Sequence, residues 1–438
     1  MNILILGSGG REHVIADAYS KNKKVKKIFV APGNPFIDFS NKKVTSLFDI
    51  PSIDFEKIKD AIKKFDIDLV DVAQDDPIAL GFVDKLTELE IKTFGPTQKS
   101  SEIEWSKEWS RNFMLKYHLP IPHFKSFDSQ SKGIFYVKSL REQPLYVKAS
   151  GLALGKGAIK AENKKEAILA IKQMKSFGKA GETFVVEEAM IGEEFSLFAV
   201  CDGESFKILG SAQDHKTAFD GDIGPNTGGM GCVSNPKIIT PKVEKEIENK
   251  ILVPFMKGMK KEQRPYSGIL YLGGMIIHSV SSGQAEIKIV EFNSRWGDPE
   301  AQVLIPGITS DYLSIVEAVL EKKLNKLKIK KDKLIRVSVA GCSRGYPIDY
   351  SKVKGAQIKG LEKVSKLPNI NIYGAGISKK ENKFVATGGR VFHLTGVGLT
   401  LSQARMRAYG AMSLISIENN NLHFRSDVGW RDMERDSS

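Results

Sequence analysis

Residues 2–13 read NILILGSGGREH, and this stretch decides the fold of the first part of the chain. The apolar run from Ile3 to Leu6 predicts a buried strand, because it offers no polar face to water. The glycine-rich loop after it predicts a tight turn into a helix that ends near Ser20. Strand and helix patterns then alternate as far as Phe94. This alternation predicts a small, doubly wound α/β domain with a parallel sheet.

The rhythm of strands and helices changes from about residue 101, where strands and glycine-rich loops dominate. One helix is predicted from Ile103 to Tyr117. A lysine-rich run from Lys322 to Lys333 is a candidate linker. The residues after it predict a third compact unit, with a strand from Gly389 to Leu394 and a closing helix from Ser402 to Leu414.

The composition predicts a folded, soluble protein. Of the 438 residues, 41% are hydrophobic and 27% are charged, which is ordinary for a globular chain. No apolar run approaches the roughly 18 residues of a membrane span, and no basic segment precedes the first apolar stretch as in a signal peptide. Cys201, Cys232 and Cys342 lie far apart and match no disulfide or zinc spacing. A cytoplasmic location with no membrane partner is therefore expected.

The formal net charge of +13 permits two interpretations. A basic chain can bind nucleic acid, or it can expose its lysines on solvated helix faces. The densest lysine run, Lys322 to Lys333, contains no interleaved aromatic residues. A solvated surface is therefore favoured, and no nucleic-acid partner is expected.

The loop from Gly7 to His13 is a candidate anion site. Glycines let the backbone approach a phosphate, and the start of a helix offers unpaired N–H groups and a partial positive charge. The third glycine of a dinucleotide fingerprint is replaced by Glu12, which argues against a nicotinamide site. A tight turn that needs glycine only for packing explains the loop equally well.

Two lysines are candidates for phosphate binding, Lys107 on a predicted helix and Lys148 at the end of an apolar strand. Burying a lysine there is costly unless an anion receives it. The loop from Gly151 to Gly157 follows Lys148 and resembles a P-loop only superficially, since Gly157 replaces the magnesium-binding Ser or Thr. A flexible flap over nucleotide phosphates is favoured over a lysine that merely extends to the surface.

Two further segments place polar groups beside unusual backbone. Residues 185–194 contain four carboxylates next to an apolar strand, which suits adenine and ribose recognition or, equally, an acidic solvent turn. Residues 214–231 begin Asp-His-Lys, and their last eight residues, 224–231, contain four glycines, a composition that disfavours helix and sheet in those eight. Such a backbone is useful where it must wrap a polar ligand.

A candidate metal site lies at the end of a strand, in residues 290–299. Alternation along the strand places Glu291 and Asn293 on one face, and their oxygens suit Mg²⁺ shared with phosphates and water. Arg295 follows on the same face and could stabilise a phosphoryl group or an oxyanion. The alternative is a surface salt bridge between Glu291 and Arg295.

Together these motifs resemble the phosphoribosylamine–glycine ligase (glycinamide ribonucleotide synthetase) family of the ATP-grasp superfamily. The resemblance covers almost the whole chain in order. The most specific motifs are the run from Gly224 to Gly231 and the run from Arg295 to Glu300. Other matching segments are 7–13, 31–34, 94–97, 106–107, 147–157, 213–216, 387–390 and 427–431.

The resemblance implies three domains. Residues 1–101 would form an amino-terminal doubly wound parallel-sheet domain with a substrate phosphate site. Residues 102–327 would form a central ATP-grasp fold with a flexible flap at about 124–190. Residues 328–438 would form a smaller carboxy-terminal α+β domain.

The implied reaction belongs to de novo purine biosynthesis. ATP would phosphorylate the carboxylate of glycine, and the amine of 5-phosphoribosylamine would attack the resulting glycyl phosphate. The products would be ADP, phosphate and glycinamide ribonucleotide. Mg²⁺ or Mn²⁺ would be required, the partners would be small molecules only, and the chain would be a monomer.

The resemblance also implies residue roles. Nucleotide contacts would come from Lys107, Lys148, Gly155, Glu187, Glu188, Met190 and Glu194, and metal contacts from Glu291 and Asn293. The substrates would contact Gly9, Gly10, Arg11, Glu12, His13, Asp75, Asp214, Asn226, Thr227, Gly228, Gly229 and Arg295. The catalytic residues would be Lys148, Arg295 and Asp298.

Three positions depart from the family pattern. Asp75 stands where the family usually has Glu, which could shift contacts to the amine substrate, and Thr217 stands where an arginine is common. Trp296 replaces a usual phenylalanine. Two rival functions are a formate- or bicarbonate-using ATP-grasp ligase and a non-catalytic nucleotide- or RNA-binding protein.

Overall fold

The amino-terminal part of the chain alternates strands and helices. The structure is a computed structural model that describes residues 1–151, 157–278 and 285–437. The first elements are β1 (Asn2–Gly7), α1 (Gly10–Ser20), β2 (Lys27–Pro32), α2 (Pro35–Ser40), β3 (Val44–Ser46), α3 (Phe55–Lys64), β4 (Leu69–Asp71), α4 (Asp75–Ala79), α5 (Phe82–Glu88) and β5 (Thr93–Phe94).

The strands of this part form a parallel sheet in the order β3-β2-β1-β4-β5. The central strand, β1, buries Ile3 to Leu6 completely, because helices cover both faces. The predicted doubly wound fold is therefore confirmed. The loop after β1 lies at the carboxyl edge of the sheet, where ligands bind in such folds.

Two predicted helices are each divided. The apolar pattern of residues 79–90 predicts one helix, but the structure breaks it at Gly81, which adopts φ 74°. The helix expected from Ile103 to Tyr117 is broken at Ser106, whose side chain accepts the Trp109 N–H at 3.3 Å and caps a new helix. This break matters because it places Lys107 at a helix start.

The central part continues with helices and two sheets. Its first elements are α6 (Gln98–Trp105), α7 (Lys107–Lys116), β6 (Phe124–Phe127), α8 (Gln130–Ser139), β7 (Leu145–Ala149), β8 (Ala158–Ala161), α9 (Lys164–Gln173) and β9 (Phe184–Glu188). Strands β6 to β9 form an antiparallel sheet in the order β6-β9-β7-β8, covered by α8 and α9. This unit, which runs from Phe124 to Glu188, lies within the segment predicted as a flap at about 124–190, and we call it the flap.

The remaining central elements are β10 (Glu193–Asp202), β11 (Phe206–Asp214), β12 (Thr217–Phe219), β13 (Ile223–Asn226), β14 (Gly231–Ser234), α10 (Pro241–Ile247), α11 (Val253–Lys261), β15 (Ser267–His278), β16 (Ala285–Asn293), α12 (Ala301–Leu304) and α13 (Tyr312–Leu320). Strands β12 and β13 form a hairpin inside the glycine-rich segment. The prediction that residues 224–231 avoid sheet is therefore wrong for residues 224–226, which lie in β13, and for Gly231, which begins β14. The residues from Thr227 to Met230 remain a loop.

The carboxy-terminal elements are β17 (Ile335–Ser343), β18 (Ile358–Lys359), α14 (Leu361–Val364), β19 (Ile370–Gly374), β20 (Ile377–Lys380), β21 (Lys383–Ala386), β22 (Arg390–Gly398), α15 (Leu401–Met412), β23 (Ser416–Ile417), β24 (Leu422–His423) and α16 (Trp430–Ser437). They have a hydrophobic core of their own.

The carboxy-terminal strands also extend the central sheet. This sheet runs in the order β16-β15-β10-β11-β14-β17-β22-β19, because β17 pairs with β14 of the central part. The third unit therefore shares hydrogen-bonded backbone with the second, so the start of β22 is fixed relative to the central sheet. Among the described residues, no helix is both long and apolar enough to traverse a bilayer.

Candidate functional site

A cavity of about 570 Å³ lies where the amino-terminal loop, the flap, the central sheet and the start of β22 meet. Of the predicted nucleotide-binding residues, the cavity is lined by Lys107, Lys148, Glu187, Glu188, Met190 and Glu194. Of the predicted metal, substrate and catalytic residues, it is lined by Gly9, Arg11, Glu12, Asp75, Asp214, Asn226, Thr227, Gly228, Glu291, Asn293, Arg295 and Asp298. Residues distant in sequence therefore converge on one space.

Three predicted contact residues are not among the described residues that line the cavity: Gly10, His13 and Gly229. The buried His13 uses both ring nitrogens elsewhere, since Nδ1 accepts the Gly374 N–H at 2.9 Å and Nε2 lies 2.7 Å from the Ser40 hydroxyl. Both ring nitrogens of His13 are therefore engaged by protein groups, one of them in the carboxy-terminal part of the chain. The predicted nucleotide contact at Gly155 lies outside the described residues.

The start of α1, predicted as an anion site, is occupied by the protein's own carboxylate. Glu12 accepts the Gly9 N–H at 2.6 Å through Oε2 and the Arg11 Nε–H at 2.6 Å through Oε1. This contact caps the helix. An incoming phosphate would meet Gly9 and Arg11 beside this carboxylate.

Three lysines surround one carboxylate, and we call Lys107, Lys148 and Lys216 the lysine cluster. Lys107 Nζ lies 3.5 Å from Glu291 Oε2. Burial alone would raise the pKa of Glu291, but the lysine cluster outweighs burial and holds that pKa far below its usual range. Glu291 is therefore ionised, and the lysines provide positive charge around it.

Lys148 and Arg111 both contact the buried Glu187. Arg111 Nε donates to Glu187 at 2.8 Å, and Lys148 forms an ion pair with the other carboxylate oxygen. Burial opposes ionisation of Glu187, but the two cations lower its pKa. The neighbouring Glu188 N–H donates to the His123 carbonyl at 3.0 Å. Its backbone N–H is therefore already bonded in this structure.

Glu291 and Asn293 lie together at the end of β16, as the strand alternation predicts. Asn293 Nδ2 donates to Glu291 Oε1 at 3.3 Å, so the two oxygen-bearing groups are adjacent. No cluster of three or more His, Cys, Asp or Glu side chains suitable for a metal was found among the described residues. One carboxylate and one amide fit a hard divalent cation that completes its coordination with phosphates and water. The donor set therefore fits Mg²⁺ or Mn²⁺.

A second group of cations lies along the same cavity, and we call Arg11, Arg295 and Arg390 the arginine cluster. Arg295 Nη2 lies 3.2 Å from Glu104 Oε1 and 3.4 Å from Asn293 Oδ1. The predicted alternative, an ion pair between Arg295 and Glu291, is therefore not what the structure shows. Arg11 Nη1 donates to the Trp296 carbonyl at 3.1 Å.

Two carboxylates face the arginine cluster. Burial opposes ionisation of Asp75, but Arg295 and Arg11 lower its pKa. Burial likewise opposes ionisation of Asp298, but Arg390 and then His393 outweigh it and lower its pKa far below the usual range. Both groups are therefore anionic at neutral pH and can receive an amine or ammonium.

The end of β11 and the segment after it contribute a carboxyl group, Asp214, and an ammonium group, Lys216, to the cavity. Burial, followed by the nearby Glu300, raises the pKa of Asp214 well above its usual range, and Asp214 Oδ1 has no hydrogen-bond partner among the described residues. Lys216 Nζ lies 2.7 Å from Glu194 Oε2. The segment therefore connects the lysine cluster to a half-buried carboxyl group with one oxygen, Oδ1, that lacks a hydrogen bond among the described residues.

Sequence reasoning missed several groups at the site, namely Glu104, Arg111, Arg390 and His393. Their elements were predicted, but no local pattern distinguishes these residues from ordinary core or surface positions. The motif from Thr387 to Arg390 was the one available signal, and it had no assigned role.

The structure shows what each of the three residues that depart from the family pattern contacts. Asp75 lines the cavity near Arg295. Thr217 lies beyond the cavity-lining Lys216, and its hydroxyl accepts a hydrogen bond from Arg425 Nη1 at 2.9 Å. Trp296 donates to the Tyr312 hydroxyl at 3.0 Å and stacks on Phe198. The larger ring at Trp296 is therefore accommodated.

The flap sheet, the central sheet and the cavity between them define an ATP-grasp protein. Three family models together match most of the chain. The phosphoribosylglycinamide synthetase N domain matches residues 1–104, the ATP-grasp (A) domain matches residues 105–301, and the C domain matches residues 336–431. The chain belongs to the phosphoribosylglycinamide synthetase family.

Named relatives agree with this membership. A phosphoribosylamine–glycine ligase of Brucella melitensis is 36% identical over 440 residues, covering 100% of both chains. One of Listeria monocytogenes serovar 1/2a is 39% identical over 98% of this chain and 100% of the relative. The crystal structure of a phosphoribosylamine–glycine ligase of Thermotoga maritima is 29% identical, with a TM-score of 0.82 over 98% of this chain and 100% of that one. A biotin carboxylase of Campylobacter jejuni, at 14% identity and TM-score 0.71 over 99% of this chain and 95% of that one, shares the fold.

Proposed function

We propose that this chain joins glycine to 5-phosphoribosylamine with conversion of ATP to ADP and phosphate, giving glycinamide ribonucleotide for purine biosynthesis. The supporting observation is that one cavity contains the lysine cluster, the paired oxygens of Glu291 and Asn293, and the arginine cluster. The named relatives support the same substrates.

The proposed nucleotide site is the part of the cavity near the lysine cluster. Lys107 and Lys148 contact the phosphates, together with the flap loop that contains Gly155. Glu187, with the backbone of Glu188 and Met190, contacts adenine, and Glu194 binds the ribose hydroxyls. The Glu188 N–H already donates to His123, so we assign the adenine contact of that residue to its carbonyl.

Glu291 and Asn293 would hold Mg²⁺ or Mn²⁺ beside the lysine cluster. When bound, such an ion neutralises charge on the phosphates and orients the transferred phosphoryl group. The chain's own lysines act in the same direction. Each positive group about 4 Å from the transferred phosphoryl contributes about 4 kcal/mol at an effective dielectric near 20, before desolvation is subtracted.

The proposed chemistry has two steps. A glycine carboxylate oxygen attacks the γ-phosphorus, the bond to the β-phosphate oxygen breaks, and ADP leaves with glycyl phosphate formed. The amine nitrogen of phosphoribosylamine then attacks the acyl carbon, the bond from that carbon to the phosphate oxygen breaks, and the departing phosphate takes up the proton that the amine loses. Arg295 stabilises the oxyanion that develops, and Asp298, which is anionic, orients the amine. A closed flap excludes water that would hydrolyse the acyl phosphate.

The substrates would occupy the part of the cavity near the arginine cluster. Gly9 and Arg11 would contact the phosphate of phosphoribosylamine, with Gly10, Glu12 and His13 shaping the loop that holds them. Asp75 and Asp214 would contact the amine substrates, and residues 226–229 would enclose glycine.

We also propose domain limits of 1–101, 102–327 and 328–438, with a flap at about 124–190, and a monomeric chain in the cytoplasm. The three free cysteines are buried, as suits a reducing compartment. Sedimentation of the purified chain tests the monomer, since a sedimenting mass twice that of the chain would contradict it.

ADP release tests the proposed function against its rivals. The assay supplies ATP, Mg²⁺ and phosphoribosylamine with glycine, formate or bicarbonate in turn. Release that requires glycine and yields glycinamide ribonucleotide supports the proposal. Glycine-independent turnover would instead favour another ATP-grasp ligase. Tight, salt-dependent polynucleotide binding without phosphate release would favour the nucleic-acid alternative.

A further inference from the structure

Arg390 begins β22 in the carboxy-terminal part of the chain, yet its guanidinium reaches the cavity. Nη1 donates to the Gly228 carbonyl at 2.5 Å and to the Asp298 carbonyl at 2.6 Å. Nη2 lies 3.3 Å from the Asp298 carboxylate. One planar group therefore connects the 226–229 loop to the turn that contains Asp298.

Asp298 is held from a second direction by Gln302, and His393, which lies on the same strand as Arg390, packs beside it. His393 is fully buried, and its Nε2 lies 3.2 Å from Asp298 Oδ1. Gln302 Nε2 donates to the same oxygen at 2.7 Å. The carboxylate therefore lies between Arg390 on one oxygen and the side chains of His393 and Gln302 on the other.

The contact with the 226–229 loop leaves the Arg390 side chain little conformational freedom. A side-chain carbon added at Gly228 would lie 3.1 Å from Arg390 Cζ, so the guanidinium packs directly on the loop backbone. A guanidinium presents several donors in a fixed plane, whereas a lysine presents one point charge on a flexible stem. Contacts to two carbonyls and a carboxylate need the planar geometry.

The sheet explains how a distant residue is positioned so closely. β22 pairs with β17, and β17 pairs with β14, the strand that follows the 226–229 loop. The start of β22 is thus connected to the loop by a continuous ladder. Movement of the carboxy-terminal part would move Arg390 against Gly228 and Asp298 together.

We propose that Arg390 is a positioning residue for the substrate end of the cavity, fixing Asp298 and the 226–229 loop, while Gln302 supports the other carboxylate oxygen of Asp298. This proposal rests on the proposed function and assigns to the carboxy-terminal part a role in acid and amine recognition. The lysine cluster does not contact Arg390 and should bind nucleotide without it.

The experiment compares Arg390→Gln and Arg390→Lys with Arg407→Gln as the matched control. Arg407 also lies in the carboxy-terminal part and donates to a carbonyl of β22, at Val397, but it does not line the cavity. Initial rates are measured while ATP, glycine and phosphoribosylamine are varied separately. Binding of a non-hydrolysable ATP analogue is measured by calorimetry.

Arg390→Gln should lower kcat/KM for glycine and phosphoribosylamine about 100-fold, the size expected when reacting groups are misplaced by about 1 Å. The KM for ATP and the analogue affinity should change less than about threefold, and Arg390→Lys should recover only part of the loss. Arg407→Gln should behave as the unmodified chain. Equal losses for ATP and for the other substrates, or full rescue by lysine, would overturn the proposal.

The two proposals fail in different ways. If the unmodified chain does not release ADP in a glycine-dependent manner, the proposed function fails before any variant is compared. If the unmodified chain is active and Arg390→Gln keeps normal kinetics for glycine and phosphoribosylamine, only the positioning role is lost. Should Arg390→Gln fold poorly, the nucleotide-binding measurement reveals it, and Gln302→Leu then tests the support of Asp298 by the same KM comparison.

Discussion

The lysine cluster and the arginine cluster occupy the same cavity but are built differently. Lys107 and Lys216 contact carboxylates that also line the cavity, and each keeps about a quarter to a third of its side chain exposed, at 27% and 34%. Lys148 is 11% exposed, and the one backbone carbonyl that Lys107 contacts among the described residues is that of the nearby Glu104. Arg11 and Arg390, at 9% and 19% exposed, instead donate to backbone carbonyls distant in the sequence, at Trp296 and Asp298, as well as to carboxylates. The lysines therefore provide charge, and the arginines also hold loops in place.

This difference suits the two ligands that we propose. A triphosphate presents many equivalent oxygens, and an ammonium on a flexible stem can follow them. Two small substrates that must react with each other need fixed walls, because a small displacement of the reacting atoms is costly. The three arginines also come from the amino-terminal, central and carboxy-terminal parts, so domain arrangement and substrate geometry are connected.

The largest effect is expected at Glu291, which joins the lysine cluster to the proposed metal. Glu291→Gln should lower kcat by roughly 10³-fold or more, because a Lewis acid contributes several kcal/mol to such a transfer. Turnover is measured against Mg²⁺ concentration, with folding checked by circular dichroism. Glu286→Gln, an exposed position on the same strand, is the control. Normal activity of Glu291→Gln would refute the metal assignment.

Loss of a lysine should affect the nucleotide side selectively. Lys148→Met should lower kcat/KM for ATP by roughly 10²- to 10³-fold, as removal of one well-placed donor does. Steady-state rates with ATP varied provide the measurement. Lys160→Met serves as control, since Lys160 lies on the paired strand and contacts the exposed Glu162. An unchanged kcat/KM for ATP would show that Lys148 only pairs with Glu187.

Replacing an arginine by lysine keeps the charge and tests the geometry. Arg295→Lys should lower kcat/KM for glycine and phosphoribosylamine by roughly 10- to 100-fold, because one ammonium cannot reach both the Trp296 carbonyl and Glu104, which the guanidinium contacts through Nη1 and Nη2. The KM for ATP should change little. Arg264→Lys, away from the cavity and stacked on Trp109, is the control. Full activity of Arg295→Lys would mean that charge alone matters in both clusters.

The smallest effect concerns stability beside the lysine cluster. His215 Nε2 accepts the Gly429 N–H at 3.0 Å, and burial, followed by the nearby Arg425, lowers the His215 pKa to about 4. Below pH 6.5 the unfolded chain binds a proton that the folded chain excludes, so this contribution to stability falls as the pH drops towards 4. The stability lost in this way between neutral pH and pH 5 is about 2 kcal/mol.

His215→Asn removes this contribution. The decrease in unfolding free energy from pH 7.5 to pH 5, measured by urea denaturation, should be about 2 kcal/mol smaller than in the unmodified chain. His118→Asn, at an exposed position, should leave the pH dependence unchanged. An identical pH dependence in His215→Asn and the unmodified chain would show that His215 does not anchor the Gly429 segment.

Local sequence predicted the elements better than their limits. The apolar run from Ile3 to Leu6 and the alternation of Glu291 with Asn293 were sufficient for the parallel sheet and the oxygen pair. The breaks at Gly81 and Ser106 were missed because each lies within a continuing helical pattern, and a turn or a cap decides the ending. The strand Ile223–Asn226 was missed because its hairpin partner outweighs its glycine content.

The sequence by itself determined the order of strands and helices, the family resemblance and most of the side chains that line the cavity, since these depend on periodicity and local motifs. Only the tertiary structure decided which charges meet. Arg111 contacts Glu187, Arg295 contacts Glu104, and Arg390 crosses from the last part of the chain to Asp298. Ion pairs between residues distant in sequence depend on how sheets and domains pack, and no local pattern contains that information.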